Sequence, residues 1–122
     1  MTISSKRLID EVKQTMGSWR IVPSVNSDTY DWIGLRTTGI QVGIESKGTR
    51  NMATLSMGVI DPNGQKTIIK SATYGGSGRA QFSSEYDALR NICSADAMVK
   101  LEKALNNAFT ISKKKRPDLY SD

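Results

Sequence analysis

The stretch Met52-Ala53-Thr54-Leu55-Ser56-Met57-Gly58-Val59-Ile60-Asp61-Pro62-Asn63-Gly64-Gln65-Lys66-Thr67-Ile68-Ile69-Lys70-Ser71-Ala72-Thr73-Tyr74 decides the fold class. In its first arm Ala53, Leu55, Met57 and Val59 fall on one side of a period of two, the pattern of a half-buried strand. Asp61-Pro62-Asn63-Gly64 then supplies the strongest turn chemistry in the chain. Proline presets φ at the second turn position, and glycine tolerates positive φ near the end. Residues 65–74 return as the partner strand. Two adjacent strands joined by a tight turn run antiparallel, so this stretch predicts an antiparallel sheet.

Working back toward the N-terminus, residues 31–36 and 40–45 predict a second hairpin around Thr37-Thr38-Gly39. Ile40, Val42 and Ile44 alternate there with Gln41, Gly43 and Glu45. Residues 46–51 read as a polar loop. Trp19-Arg20-Ile21-Val22 reads as a further strand ended by Pro23, and Asn26-Ser27-Asp28 as a turn. Gly34, Gly43 and Gly58 inside strands predict bulges or bends, hence a strongly curved sheet. Residues 4–16 read as an amphipathic helix, with Ser4 or Ser5 as cap, Leu8, Ile9, Val12 and Met16 on one face, and Gly17 as the stop.

Working forward, Gly75-Gly76-Ser77-Gly78 is a flexible connection, and Arg79-Ala80-Gln81-Phe82 is expected as one more short strand. Ser83 or Ser84 caps a helix to about Cys93, with Tyr86, Leu89 and Ile92 facing inward. Ser94 and Asp96 open a second helix, where Met98, Leu101, Leu105 and Ala108 form an apolar stripe. The fold class expected is α+β: an N-terminal helix, a curved antiparallel sheet of about five to six strands, and one or two C-terminal helices packed on it. Residues 1–112 are expected as a single domain, and residues 113–122 as a basic, disordered tail.

The composition narrows the chemistry. The chain has 122 residues, 38% hydrophobic and 24% charged, with a mean hydropathy of −0.40, as in an ordinary globular domain. No apolar run reaches the roughly 20 residues a membrane span needs. There is no histidine and one cysteine, Cys93. A Cys/His zinc site within one chain and triads built on histidine are therefore excluded. The carboxylates show no paired spacing. A non-enzymatic protein without metal or cofactor is expected. The single cysteine and the absence of a signal-peptide pattern point to an intracellular location, cytoplasmic in a bacterium or virus and nuclear in a eukaryote.

Net charge is +5 and the pI about 9.5. Residues 17–82 hold seven basic and four acidic side chains, and residues 113–122 four and two. The excess thus sits on the predicted sheet and the tail, which favours polyanionic partners. Arg36, Lys47, Arg50, Lys66, Lys70 and Arg79 lie among the predicted strands with Trp32 and Tyr74. Cations hold phosphates while bases stack on aromatic faces, so this mixture suits single-stranded nucleic acid. The plain alternative is a solvated sheet face, with both tryptophans in the core. Lys113-Lys114-Lys115-Arg116 adds a run that binds nucleic acid or merely solubilises the tail. Gly75-Gly76-Ser77-Gly78-Arg79 offers backbone N–H groups and an arginine to a phosphate, but lacks the Gly-Lys-Ser/Thr of a Walker loop.

The run Gly78-Arg79-Ala80-Gln81-Phe82-Ser83-Ser84-Glu85-Tyr86-Asp87-Ala88-Leu89 resembles the last-strand-to-helix junction of the Whirly group of single-strand-binding proteins. That resemblance implies a four-stranded curved sheet followed by a helix, with subunits associating through their helices. It covers about 35 residues, and no site residue is carried over from it. The function expected is binding of single-stranded DNA or RNA on a curved basic sheet. A small protein-binding inhibitor or adaptor, of the kind mobile elements encode, is the alternative. A nucleotide or phosphate binder at residues 75–79 is the third. The apolar stripe and exposed sheet edges also lead one to expect a homodimer or higher homo-oligomer.

Overall fold

The computed structural model describes residues 2–17, 30–49 and 51–122. Helix α1 (Ser5–Gly17) is followed by four strands: β1 (Tyr30–Gly34), β2 (Gln41–Gly48), β3 (Ala53–Ile60) and β4 (Lys66–Tyr74). Helices α2 (Glu85–Ile92) and α3 (Ala95–Lys115) come next, and a 3-10 turn spans Pro117–Leu119. The strands form one antiparallel meander in the order β1-β2-β3-β4. The class is α+β, as expected, but the described residues hold four strands rather than five to six. The strand expected at 19–22 and the turn at 26–28 lie outside the described residues. The strand expected at 79–82 shrinks to an isolated bridge between Tyr74 and Phe82. There the Gln81 side chain, not a backbone carbonyl, accepts the Thr73 N–H at 3.1 Å, so a backbone ladder does not extend.

Both predicted hairpins form. Gly34 pairs with Gln41 across the first turn, and Ile60 with Lys66 across the second. Asp61 closes the second turn, its carboxylate accepting from the Asn63 and Gln65 amides at 2.8 and 3.0 Å. Such a side-chain acceptor imitates a backbone turn and fixes the hairpin register.

All three helices cover one face of the sheet. Val42, Ile44, Leu55, Met57, Val59 and Ala72 point inward from the strands. Leu8, Ile9, Val12 and Met16 of α1 meet them, with Ile92 of α2 and Leu101, Leu105, Ala108 and Phe109 of α3. The stripe on α3 therefore packs on the chain's own sheet, which removes one motive for expecting self-association. Tyr86, expected to face inward, is 60% exposed and lies beside Arg90 instead. Ala88 takes its place in the core, because the buried side of this short helix runs through 88, 89 and 92.

Residues 113–122 depart from the disordered tail expected of them. Lys113, Lys114 and Lys115 form the last turn of α3, where cations complement the helix dipole. Beyond them the chain folds back onto the N-terminus. Ile3 pairs with Tyr120, and the Asp122 carboxylate accepts from the Lys6 amide at 3.1 Å and the Ser5 hydroxyl at 2.9 Å. Burial opposes the Asp122 charge. The Lys6 and Ser5 amides, the Ser5 hydroxyl and Lys113 outweigh it and hold the carboxyl below the usual carboxylate range. Asp122 thus adds to Ser4, whose hydroxyl accepts from the Arg7 amide, in capping α1.

Candidate nucleic-acid interface

No described helix covers the other face of the sheet. The register sets out its side chains in rows. Lys47, Thr54 and Thr73 form one row, then Glu45, Ser56 and Ser71. Gly43, Gly58 and Ile68 follow, and Gln41, Ile60 and Lys66 close the series. From Lys47 to Gln41 is about 20 Å, at roughly 3.4 Å per residue. Ser56 and Ser71 share a hydrogen bond of 2.8 Å across the strands.

Trp32 is the one aromatic of this face whose side chain is described. It sits directly opposite Gly43, and Gly43 is directly opposite Gly58. A Cβ on Gly58 would lie 3.1 Å from Trp32 Cη2 and 3.3 Å from Ile68 Cδ1. The indole therefore reaches from β1 across β2 to β3 and ends beside Ile68. Two facing glycines leave a trough in the sheet surface, and the ring fills it. An aromatic laid over strand glycines restores the packing they lack. Trp32 is half-buried, so its inner side serves the sheet and its other side meets solvent.

The charges on this face differ in burial. Glu45 is 6% exposed, and Lys66 holds it with Nζ 3.1 and 3.2 Å from its two oxygens. Lys47 is exposed beside Thr54. Arg79 is exposed in the loop after β4. That loop meets the β2–β3 connection, where the Ser77 amide donates to the Asn51 carbonyl. Lys47 and Arg79 thus mark one end of the open face. Arg36 lies in the β1–β2 turn, with a left-handed φ of 50°, on the side of the sheet that α1 covers. It shares a cleft with Arg7, which sequence reasoning missed because no periodicity connects a helix residue to a distant turn.

Two of the expected site residues, Lys70 and Tyr74, lie on the helix-covered side of the sheet. A bulge between β3 and β4 sets Ile68 opposite Gly58 but Lys70 opposite Met57, leaving Ile69 as the extra residue. One extra residue reverses the alternation that follows it. Lys66 and Ile68 consequently face outward, whereas Lys70, Ala72 and Tyr74 face the helices. Lys70 is tied to α3, with Nζ 3.1 Å from Ser94 Oγ and 3.1 Å from Asp96 Oδ2. The Ser94 hydroxyl and Lys70 hold the Asp96 carboxyl down to about 2. Tyr74 is 8% exposed and cannot stack on a base. Burial first, and then the Glu85 charge, push its hydroxyl up.

The remaining candidates are placed as follows. Arg50 lies outside the described residues. Lys113 contacts Asp122 at 3.4 Å and Arg116 contacts Asp118 at 3.5 Å, while Lys114 and Lys115 are exposed. In the glycine-rich loop, the amides of Gly75, Ser77, Arg79 and Ala80 donate to Phe82, Asn51 and Ser77 within the protein. A phosphate cradle there would have to replace those bonds. Burial pushes the Cys93 thiol up to about 11, so it is protonated and poorly nucleophilic at neutral pH. Among the described residues no cluster of carboxylate or cysteine side chains has the makings of a metal site, and no helix is long and apolar enough to cross a membrane.

No family model, curated protein or solved structure matches this chain. The resemblance to the Whirly group therefore gains no support from solved structures, and the face stands on its own chemistry.

Proposed function

We propose that this protein is a non-enzymatic binder of single-stranded nucleic acid, held along the open face of the sheet. Trp32 carries the proposal. A half-exposed indole fixed across Gly43 and Gly58 is a preorganised stacking platform at the middle of the face. Lys47 and Arg79 stand toward one end of the face, where they meet phosphates next to the stacked base. Beside them, Thr54, Thr73, Ser56 and Ser71 offer hydroxyls to sugar and phosphate oxygens. Lys66 neutralises Glu45 and so removes a repulsive charge from the path. Lys70 and Tyr74 have no part in this interface.

The test is binding of a labelled oligothymidine at about 50 mM salt, followed by a salt titration, since each neutralised phosphate releases counterions. Trp32→Ala is expected to weaken binding by about 1–3 kcal/mol, the worth of one base–aromatic stack. Lys47→Glu is expected to weaken it and to flatten the salt dependence. Binding that ignores both substitutions, or no binding at all at low salt, overturns the proposal.

A further inference from the structure

We propose that the groove between β4 and α3 takes an extended, acidic peptide segment of a partner protein as a fifth strand. Of the open-face side chains only Ile68 also lines this groove, and β4 is the edge of the sheet on this side. At its upper end Thr73 turns its amide and carbonyl away from β3. The Gln81 side chain accepts from the amide at 3.1 Å, and the Phe82 amide donates to the carbonyl at 3.0 Å. Lower down, residues 66–71 have no strand beside them on that side among the described residues. An edge with unmatched amides and carbonyls is a template for another strand.

The groove beside that edge has about 300 Å³ of space. Val59, Ile69, Ala104, Ala108 and Ile111 give it an apolar floor. A strand added at the edge points every second side chain to the helix side, so a small apolar residue at the middle of those positions fills it and the helix-side positions before and after it face α3. Lys100 and Lys103 also line the groove, are exposed, and make no ion pair among the described residues. The one carboxylate in the lining, Asp61, is turned into its own hairpin by the Asn63 and Gln65 amides.

Charge decides the occupant. A second copy paired through the same edge would bring two sets of Lys100 and Lys103 toward each other. Like charges set opposite destabilise strand pairing, and edge lysines with a bulge are the usual guards against it. Nucleic acid has no amide ladder to offer β4 and nothing to gain from the apolar floor. A peptide whose helix-side positions carry a valine-sized residue between two carboxylates satisfies the edge, the floor and the lysines together.

The probe is a blocked synthetic peptide, Thr-Glu-Thr-Val-Thr-Glu-Thr, with its valine and both glutamates on one face, added to the 122-residue protein labelled with nitrogen-15. The expected result is amide shifts confined to residues 66–71 and to α3 near Lys100, Lys103 and Ile111, with slowed hydrogen exchange at the edge. The same peptide with lysine in place of the acids, and the Lys100→Glu/Lys103→Glu variant with the acidic peptide, are each expected to bind about tenfold more weakly or worse. Circular dichroism checks that the variant is folded. Absence of shifts at millimolar peptide overturns the proposal, as do shifts centred on Trp32, Lys47 and Thr54 instead. An oligothymidine that shifts the groove residues more strongly would assign the groove to nucleic acid. Concentration-dependent dimers that protect residues 66–71 would assign it to a second copy. Both outcomes reject the peptide.

Discussion

Gly58 shows how little freedom the open face has. A methyl group there would lie 2.9 Å from the Thr67 carbonyl oxygen and 3.1 Å from Trp32 Cη2. The carbonyl belongs to the backbone of β4 and cannot swing aside. Gly58→Ala is expected to lower stability by about 1–3 kcal/mol in urea unfolding, the usual range for overpacking, and to displace the indole. Gly64 makes a useful contrast. Its φ of +83° is left-handed but nothing lies near it, so Gly64→Ala is expected to cost about 1–2 kcal/mol of backbone strain alone. Glu85 is a different residue-scale case. Burial raises its carboxyl, and one of its oxygens is buried without a hydrogen-bond partner among the described residues. A carboxyl whose folded value is raised favours the folded state at low pH and opposes it as pH rises past the unfolded value. Glu85→Gln is therefore expected to raise the melting temperature at pH 7. The gain should shrink toward pH 4 in paired thermal melts.

At the scale of the element, the bulge in β4 divides one strand between two tasks. Before Ile69, Lys66 serves the open face, and after it, Lys70 holds the start of α3. Replacing either lysine should thus give different consequences. Lys66→Ala leaves the nearly buried Glu45 without its cation. A loss of about 1–2 kcal/mol is expected, less than for a fully buried pair because the Lys66 side chain is 40% exposed. Lys70→Ala is expected to raise the Asp96 carboxyl from about 2 toward the ordinary value, read by carbon-13 titration of that side chain. Neither substitution is a clean probe of nucleic-acid binding.

At the scale of the whole molecule, Tyr120 and Asp122 clasp residues 3–6. Asp122 caps α1, and Tyr120 hydrogen-bonds with Ser112, whose hydroxyl also donates to the Thr38 carbonyl at 2.8 Å. The C-terminal residues thereby connect α1, α3 and the β1–β2 turn. Asp122→Ala is expected to lower stability by about 0.5–2 kcal/mol, the range for a lost helix cap, and to speed amide exchange at Lys6 and Arg7. Asp96 and Asp122 both have depressed carboxyls. Their contribution is complete above about pH 4, the unfolded value, and is lost as pH falls through their folded values. Urea midpoints measured from pH 6 down to pH 2 are expected to fall steeply below pH 4, and less steeply for Asp122→Ala.

Local chemistry alone determined the class of this fold. Alternation at 40–45 and 53–59, the Asp61–Gly64 turn and the apolar faces of the helices all act within a few residues, so they are legible without tertiary contacts. Lys47, expected in a polar loop, reaches the open face only because β2 runs on to Gly48, and strand pairing is what sets it on the same face as Trp32 and Lys66. Gly58 even signalled a bulge, but not which strand took the extra residue. That choice belongs to the pairing of β3 with β4, and it sends Lys70 and Tyr74 inward. Cross-strand contact likewise decided that Trp32 fills the trough over two glycines. The order of residues 113–122 depends on Ile3, Ser5 and Lys6, more than a hundred positions away. A contact at that separation has no period or motif to announce it, because only the folded chain brings its two halves together.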